Sequence, residues 1–164
     1  MSAKSRTKGK VGEREVGALI RDLTGWDVRR RVRQYEGDSD LEGIPGWCAE
    51  SKRHARAGRA ELAKWWTQAV DQASRVGQLP VLFFRVNRDA WRAVWPLAVV
   101  VGGERSTDWL QYDLTAETSI AGWAAVARDL VRPVHPRDGS AGQWLAPIRG
   151  TRSEDVGTNE VVTA

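Results

Sequence analysis

The feature that most constrains the fold is an apolar run at residues 80–86, with the sequence Pro-Val-Leu-Phe-Phe-Arg-Val. The run has the length of a strand, and its composition predicts that the strand is buried. Residues 60–76, directly before it, have apolar side chains at helical spacing and are followed by Gly77, a residue suited to a helix C-cap. An amphipathic helix followed by a buried strand is typical of a sheet covered by helices.

The segments on either side extend this arrangement. Residues 11–24 carry apolar side chains at helical spacing, and residues 26–35 alternate like a strand with one charged face. Residues 40–53 hold Gly-Ile-Pro-Gly between two short runs, which predicts a β-hairpin or a close relative of one. Beyond the buried strand, the patterns predict strands at 93–101 and 109–114 and a last helix at 120–131. The expected fold class is α/β, a helix-flanked mixed sheet of order α-β-β-β-α-β-β.

The 164-residue chain has the length of one domain, and its two ends differ in composition. Residues 1–10 are polar and basic without periodicity, which predicts a flexible basic arm. Residues 133–164 are rich in Pro, Gly and polar residues, which predicts a disordered tail and leaves 11–132 as the folded domain. No apolar run reaches the ~18 residues of a membrane span. The single cysteine, Cys48, excludes an intrachain disulfide, so we expect a reducing, cytoplasmic setting.

The net charge of +4 is modest, but its distribution is uneven. Residues 1–60 hold 14 Lys and Arg against 9 Asp and Glu, whereas residues 61–164 hold 11 against 12. The excess positive charge therefore lies entirely in the first third of the chain. Such asymmetry indicates a polyanionic partner such as nucleic acid, although a solvated basic face would give the same count.

Three charged residues in the predicted hairpin form a candidate site. Glu50 and Lys52 are two apart on a predicted strand, so their side chains point to the same face. Asp40 lies ten residues before Glu50, where the hairpin could return it to that residue. Two carboxylates and a lysine at one end of a sheet suit Mg²⁺, which prefers carboxylate and water oxygens.

Spacing alone leaves alternatives at this site. Asp38 has the same strand parity as Asp40, and Glu42 is a nearby carboxylate. Glu50 and Lys52 would also be compatible with an ordinary surface pair. Glu13, in the first turn of the predicted opening helix, is explained equally well by the helix macrodipole.

The order Asp40…Glu50-X-Lys52 resembles the motif of the PD-(D/E)XK nuclease superfamily. The opening Lys8-Gly9-Lys10-Val11-Gly12-Glu13-Arg14-Glu15 is similar to that of archaeal and phage Holliday junction resolvases. The stretch Ser39-Asp40-Leu41-Glu42-Gly43-Ile44-Pro45-Gly46 resembles the phage branch, with Ser39 where the superfamily motif has proline. The resemblance covers roughly residues 8–101 and favours Asp40 over Asp38. It implies a restriction-endonuclease-like fold with the nuclease domain at 11–132.

The resemblance also implies roles for particular residues. Asp40, Glu50 and the Ser51 backbone carbonyl would hold Mg²⁺, for which Mn²⁺ could substitute, and Glu13 would complete the metal environment. Lys52 would orient water and offset negative charge in the transition state. Gln68, on the second helix, would face the same site. A more conservative interpretation gives Gln68 only a solvent or capping contact.

The implied activity is Mg²⁺-dependent hydrolysis of phosphodiester bonds in DNA, most specifically in four-way junctions. Alternatives are a nicking, exonucleolytic or restriction-like nuclease of the superfamily, or a DNA-binding module without catalysis. The two-fold symmetry of a junction implies a homodimer, and a phage source would place it in the host cytoplasm. The side chains expected to contact DNA phosphates are basic: Lys4, Arg6, Lys8, Lys10, Arg14, Arg29, Arg30, Arg31, Arg33 and Arg53.

Overall fold

The structure is a computed structural model that describes residues 3–31, 39–101 and 106–131, with side chains described from residue 9 onward. These residues form a mixed sheet of six strands in the order β1-β2-β3-β4-β5-β6, with helices on both faces. The strands are β1 Arg29–Arg30, β2 Leu41–Glu42, β3 Trp47–His54, β4 Leu79–Val86, β5 Arg92–Pro96 and β6 Thr115–Ser119. The helices are α1 Ala3–Thr24, α2 Arg59–Val76, α3 Ala98–Val101 and α4 Ile120–Val131. The β3–β4 pair is parallel, and the other neighbouring pairs are antiparallel.

The predicted α/β fold class is confirmed, but several boundaries were wrong. Helix α1 begins at Ala3 rather than at residue 11, so most of the segment predicted as a flexible arm has helical backbone. Adding residues to an existing helix costs far less than nucleating one, and this segment holds three Lys, one Arg and one Ala, all good helix formers. The predicted tail at 133–164 lies outside the described residues.

The end of the domain also differs from the prediction. The strand predicted at 93–101 ends at Pro96, and residues 98–101 form α3. The adjacent residues Ala98 and Val99 are both buried, whereas a strand would bury only every second residue on one face. The strand predicted at 109–114 is instead two 3-10 turns, Thr107–Leu110 and Tyr112–Leu114. Strand β6 follows them and has little apolar pattern of its own. It forms because its backbone pairs with β5.

The two faces of the sheet carry different helices. On the face that we call the α1 face, Ala49, Val81 and Phe83 pack against helices α1 and α4. On the opposite face, the α2 face, Leu82, Phe84 and Val94 pack against helix α2. Side chains alternate along a strand, so Glu50 and Lys52 of β3, which lie opposite Leu82 and Phe84, belong to the α2 face.

Tryptophan side chains fill much of the core in the described part of the chain. The side chain of Trp123 is fully buried, and its ring packs edge-to-face on Phe83 at 4.8 Å and on Trp47 at 5.6 Å between ring centroids. Six of the tryptophans are buried: Trp47, Trp65, Trp66, Trp91, Trp95 and Trp123. None of the described helices is both long and apolar enough to cross a membrane.

An acidic residue of α1 connects that helix to the two parallel strands. Glu15 accepts hydrogen bonds from Arg53 of β3 and Arg85 of β4, each at 3.0 Å, and from the Trp91 indole at 3.4 Å. Arg53 and Arg85 are register partners, so one carboxylate bridges neighbouring strands. The contact places α1 across the end of β3 nearest the candidate site.

The hairpin depends on a glycine that approaches another segment closely. Gly43 follows β2 with φ +84°, a conformation that side chains with a Cβ rarely adopt. A Cβ built at Gly43 would lie 2.1 Å from the carbonyl oxygen of Asp27. No other residue type therefore fits at this position without moving the chain that leads into β1.

We expect Gly43→Ala to lower the free energy of unfolding by more than the ~1–2 kcal/mol that a left-handed backbone costs an L-residue. Gly77→Ala is the matched control, because Gly77 has φ +64° but open space around its Cβ position. Urea denaturation of both variants measures the difference. Equal losses for the two would show that the close approach to Asp27 adds nothing.

Candidate active site

Pairing of β2 with β3 brings Asp40 to Glu50, as the sequence predicted. Leu41 lies opposite Ala49, and the Asp40 amide donates to the Ala49 carbonyl at 2.9 Å. The Asp40 carboxylate accepts a hydrogen bond from the Ser51 amide at 2.8 Å. Both carboxylates are buried, with Asp40 3% and Glu50 1% exposed. The hairpin therefore holds two acids side by side with almost no access to water.

Ser39 fixes the start of β2. Its hydroxyl lies 2.6 Å from the Leu41 carbonyl oxygen and accepts a hydrogen bond from the Ala49 amide at 3.2 Å. These contacts tie both strands of the hairpin to one buried side chain. Ser39 therefore stabilises the backbone on either side of Asp40, a role that the sequence analysis did not assign to it.

Lys52 and Gln68 contact the same carboxylate. Lys52 Nζ lies 2.5 Å from Glu50 Oε1, and Gln68 Nε2 donates to that oxygen at 3.0 Å. Lys52 is partly exposed, whereas Glu50 is fully enclosed. Gln68 therefore faces the site, as the resemblance implied. Lys52 lies between the buried acids and solvent.

The environment disfavours the charged form of Glu50. Burial raises the pKa of its carboxyl group, and the nearby Asp40 charge raises it further. The Lys52 ammonium and hydrogen bonds from Lys52 and Gln72 oppose the shift without cancelling it. Ionised Glu50 is therefore under-compensated by its neighbours, as expected of a carboxylate that receives part of its counter-charge from a bound cation.

Gln72 is a contact that the sequence analysis missed. It lies four residues after Gln68 on α2, is 4% exposed, and its amide favours the charged form of Glu50 by lowering the pKa of that carboxyl group. Residues at this spacing lie on one helix face, so the position of Gln68 was the available signal. The Gln72 Oε1 atom is buried and has no hydrogen-bond partner among the described residues.

The donor set fits Mg²⁺ better than a metal that needs a full cage of protein ligands. Among the described residues, no group of three or more His, Cys, Asp and Glu side chains could hold a metal ion. Two carboxylates leave room for the waters that Mg²⁺ retains. The Ser51 amide points to Asp40, and in an extended strand the carbonyl of the same residue points to the same edge. Asp40, Glu50 and the Ser51 carbonyl could therefore bind the ion together.

Glu13 is paired with a basic side chain, and its expected contribution to the metal environment, directly or through water, stays a prediction. Its carboxylate forms an ion pair with Arg30 of β1, which lies opposite Leu41 and not Asp40. Arg30 itself was predicted to contact DNA. Two residues assigned separate roles from the sequence thus neutralise each other across the α1–β1 contact.

The remaining residues predicted to contact DNA or to bind the metal differ in how exposed their side chains are. Lys10, Arg14, Arg29 and Arg31 are exposed, but Arg29 forms two hydrogen bonds to Asp27. Arg53 is held by Glu15. Glu42 is exposed and lies opposite Arg29. The side chains outside the described set are Lys4, Arg6, Lys8, Arg33 and the alternative ligand Asp38.

We expect Glu50→Gln to raise the Tm of the metal-free protein by about 2–4 °C at pH 8, as ~1 kcal/mol does in a domain of this size. Since folding raises the Glu50 pKa, its contribution to stability is complete below the unfolded pKa of ~4.3 and declines as pH rises through the folded value. The gain should therefore shrink toward pH 5. Thermal melts at both pH values test this, with exposed Glu42→Gln as the control. A lower Tm at pH 8 would contradict the account.

Comparison with known proteins identifies a family for this chain. Over residues 4–121 the sequence matches the family described as "Phage putative PDDEXK endonuclease". The chain is 28% identical to Protein D14 of Escherichia phage T5, over 56% of this chain and 70% of that protein. It also resembles the structure of Archaeoglobus fulgidus Hjc, a Holliday junction resolvase, with a TM-score of 0.45 and 19% identity over 72% of this chain and 96% of that one. The protein belongs to the phage PDDEXK endonuclease family.

Proposed function

We propose that this protein is a Mg²⁺-dependent DNA endonuclease that hydrolyses phosphodiester bonds and acts on four-way junctions. The observation that carries the proposal is the buried Asp40–Glu50 pair with Lys52 bound at its open side. Membership in the endonuclease family supports the reaction class. The resemblance of residues 8–16 and 39–53 to junction resolvases supports the choice of substrate.

Each group in the site has a defined task in this reaction. Asp40 and Glu50 would hold the ion, which when bound would supply positive charge near the scissile phosphate and lower the pKa of a bound water. Lys52, at the boundary with solvent, binds a phosphate oxygen or the attacking water and offsets the negative charge that develops. Gln68 donates to Glu50 and would keep its carboxylate oriented toward the ion.

The exposed basic side chains near the site provide the contacts to DNA. Lys10 and Arg14 lie on α1, and Arg31 follows β1, whose neighbour β2 begins directly after Asp40. Their charges act on phosphates and carry no information about base sequence. A homodimer would present two such sites to the two symmetric strands of a junction.

We expect Asp40→Asn and Lys52→Ala each to reduce cleavage by at least ~100-fold, because one removes a metal ligand and the other a charge at the phosphate. Binding to DNA in Ca²⁺ should remain close to that of the unchanged protein. Glu42→Gln, in the same hairpin but exposed, is the control and should cleave normally. Full activity in Asp40→Asn with loss of activity in Asp38→Asn would show that Asp38 is the ligand.

The substrate is tested with labelled four-way junction, linear duplex and single-stranded DNA, each with and without Mg²⁺. We expect paired symmetric cuts in the junction that require Mg²⁺. Equal cutting of linear duplex would contradict junction selectivity and favour a nicking or restriction-like nuclease. Digestion from strand ends would indicate an exonuclease, and binding without cleavage would indicate a non-catalytic module.

We expect Arg14→Gln and Arg31→Gln to weaken junction binding and each to reduce the slope of log Kd against log salt by about 1, as the loss of one phosphate contact does. The matched control is Arg75→Gln, which removes an exposed arginine from the last turn of α2. Binding titrations over a range of NaCl concentrations give the slopes. Slopes equal to that of Arg75→Gln would contradict a role for these arginines at the DNA.

A further inference from the structure

Gln72 has an unusual place for an amide side chain. It lies on the inner face of α2 among apolar neighbours such as Ala69 and Ala73, and it is 4% exposed. Its side chain lies close enough to lower the pKa of Glu50, the most deeply buried acid of the described residues, whose Oε2 atom is buried without a hydrogen-bond partner among them. An apolar residue at this position would pack against the sheet without any polar group to satisfy.

The oxygen of the Gln72 amide lacks a hydrogen-bond donor. Its Oε1 atom is buried and accepts no hydrogen bond from any described residue. Leaving a buried acceptor without a donor costs free energy, so such atoms in folded proteins call for an explanation. The amide nitrogen and oxygen share one carbon atom, so the contact with Glu50 also places Oε1 close to the Glu50 carboxylate.

We infer that Gln72 is a positioning residue for the divalent cation, an inference that rests on the proposed function. Its nitrogen holds the Glu50 carboxylate, and its oxygen accepts a hydrogen bond from a water in the hydration shell of the ion. Mg²⁺ keeps several waters when carboxylates bind it, and those waters are donors. Binding of the cation therefore supplies the donor that the metal-free protein lacks at Gln72.

A purely structural role for Gln72 predicts the opposite effect on stability. If Gln72 served only to pack α2 on the sheet, replacing it would lower the Tm and leave the response to Mg²⁺ unchanged. If it positions the cation, removing its unsatisfied oxygen leaves the metal-free Tm equal or higher. The response to Mg²⁺ then weakens, because the hydration shell loses an acceptor while Gln68 and Lys52 still contact Glu50.

The test compares Gln72→Met, which keeps the side-chain length, with Gln78→Met, which changes an exposed glutamine just beyond α2. Thermal melts over a range of MgCl₂ concentrations give the metal-free Tm and the concentration for half-maximal stabilisation. We expect Gln72→Met to keep or raise the metal-free Tm and to need about tenfold more Mg²⁺. Cleavage by this variant should recover at saturating Mg²⁺, and Gln78→Met should match the unchanged protein.

A second variant covers the case in which Gln72→Met does not fold. Gln72→Asn retains the amide but withdraws it from Glu50 by one methylene, and it should also require more Mg²⁺. A lower metal-free Tm with unchanged Mg²⁺ dependence in either variant would overturn the inference. If the unchanged protein is neither stabilised by Mg²⁺ nor active with it, the proposed function fails as well. If it responds to Mg²⁺ and both Gln72 variants respond identically, only the role of Gln72 fails.

Discussion

Two carboxylates, Asp40 and Glu50, are held together beneath helix α2 with almost no contact with water. Burying like charges side by side opposes folding, and the raised pKa of Glu50 reflects both the burial and the neighbouring charge. Lys52 offsets part of this cost, and a bound cation would offset more. The hairpin still forms, because backbone hydrogen bonds and the contacts of Ser39 position Asp40. These hydrogen bonds do not depend on the charge of the Asp40 carboxylate.

The alternation of side chains along β3 separates the groups that anchor the fold from those that carry chemistry. Residues on the α1 face pack in the core or, like Arg53, bind Glu15 and attach α1 to the sheet. Residues on the α2 face, Glu50 and Lys52, meet Gln68 at the candidate site. A shift of one residue in the β2–β3 register would move Asp40 to the apolar α1 face and away from Glu50, which the pairing of β3 with β4 keeps on the α2 face. The register of this hairpin therefore determines whether a site exists at all.

The sequence predicted those parts of the site that depend on local spacing. The pairing of Asp40 with Glu50 and the shared face of Glu50 and Lys52 follow from strand parity and a turn, and both are present. The ion pair of Glu13 with Arg30 was not predictable, because it joins a helix to an edge strand through tertiary packing. Gln72 was missed for a similar reason, since its place depends on how α2 is rotated on the sheet.

The helices and strands were likewise predicted well where local sequence patterns determine them and poorly where tertiary contacts do. Helix α2 and strand β4 have strong periodic patterns, and their predicted bounds lie close to those observed. Strand β6 has weak alternation and exists through pairing with β5, so its predicted position was wrong.

The most direct measurement of the proposed metal site is an anomalous difference map from crystals grown with MnCl₂. We expect a peak in contact with the carboxylates of Asp40 and Glu50. Mn²⁺ bound elsewhere, with Lys52 still in contact with Glu50, would contradict a metal site at these two carboxylates.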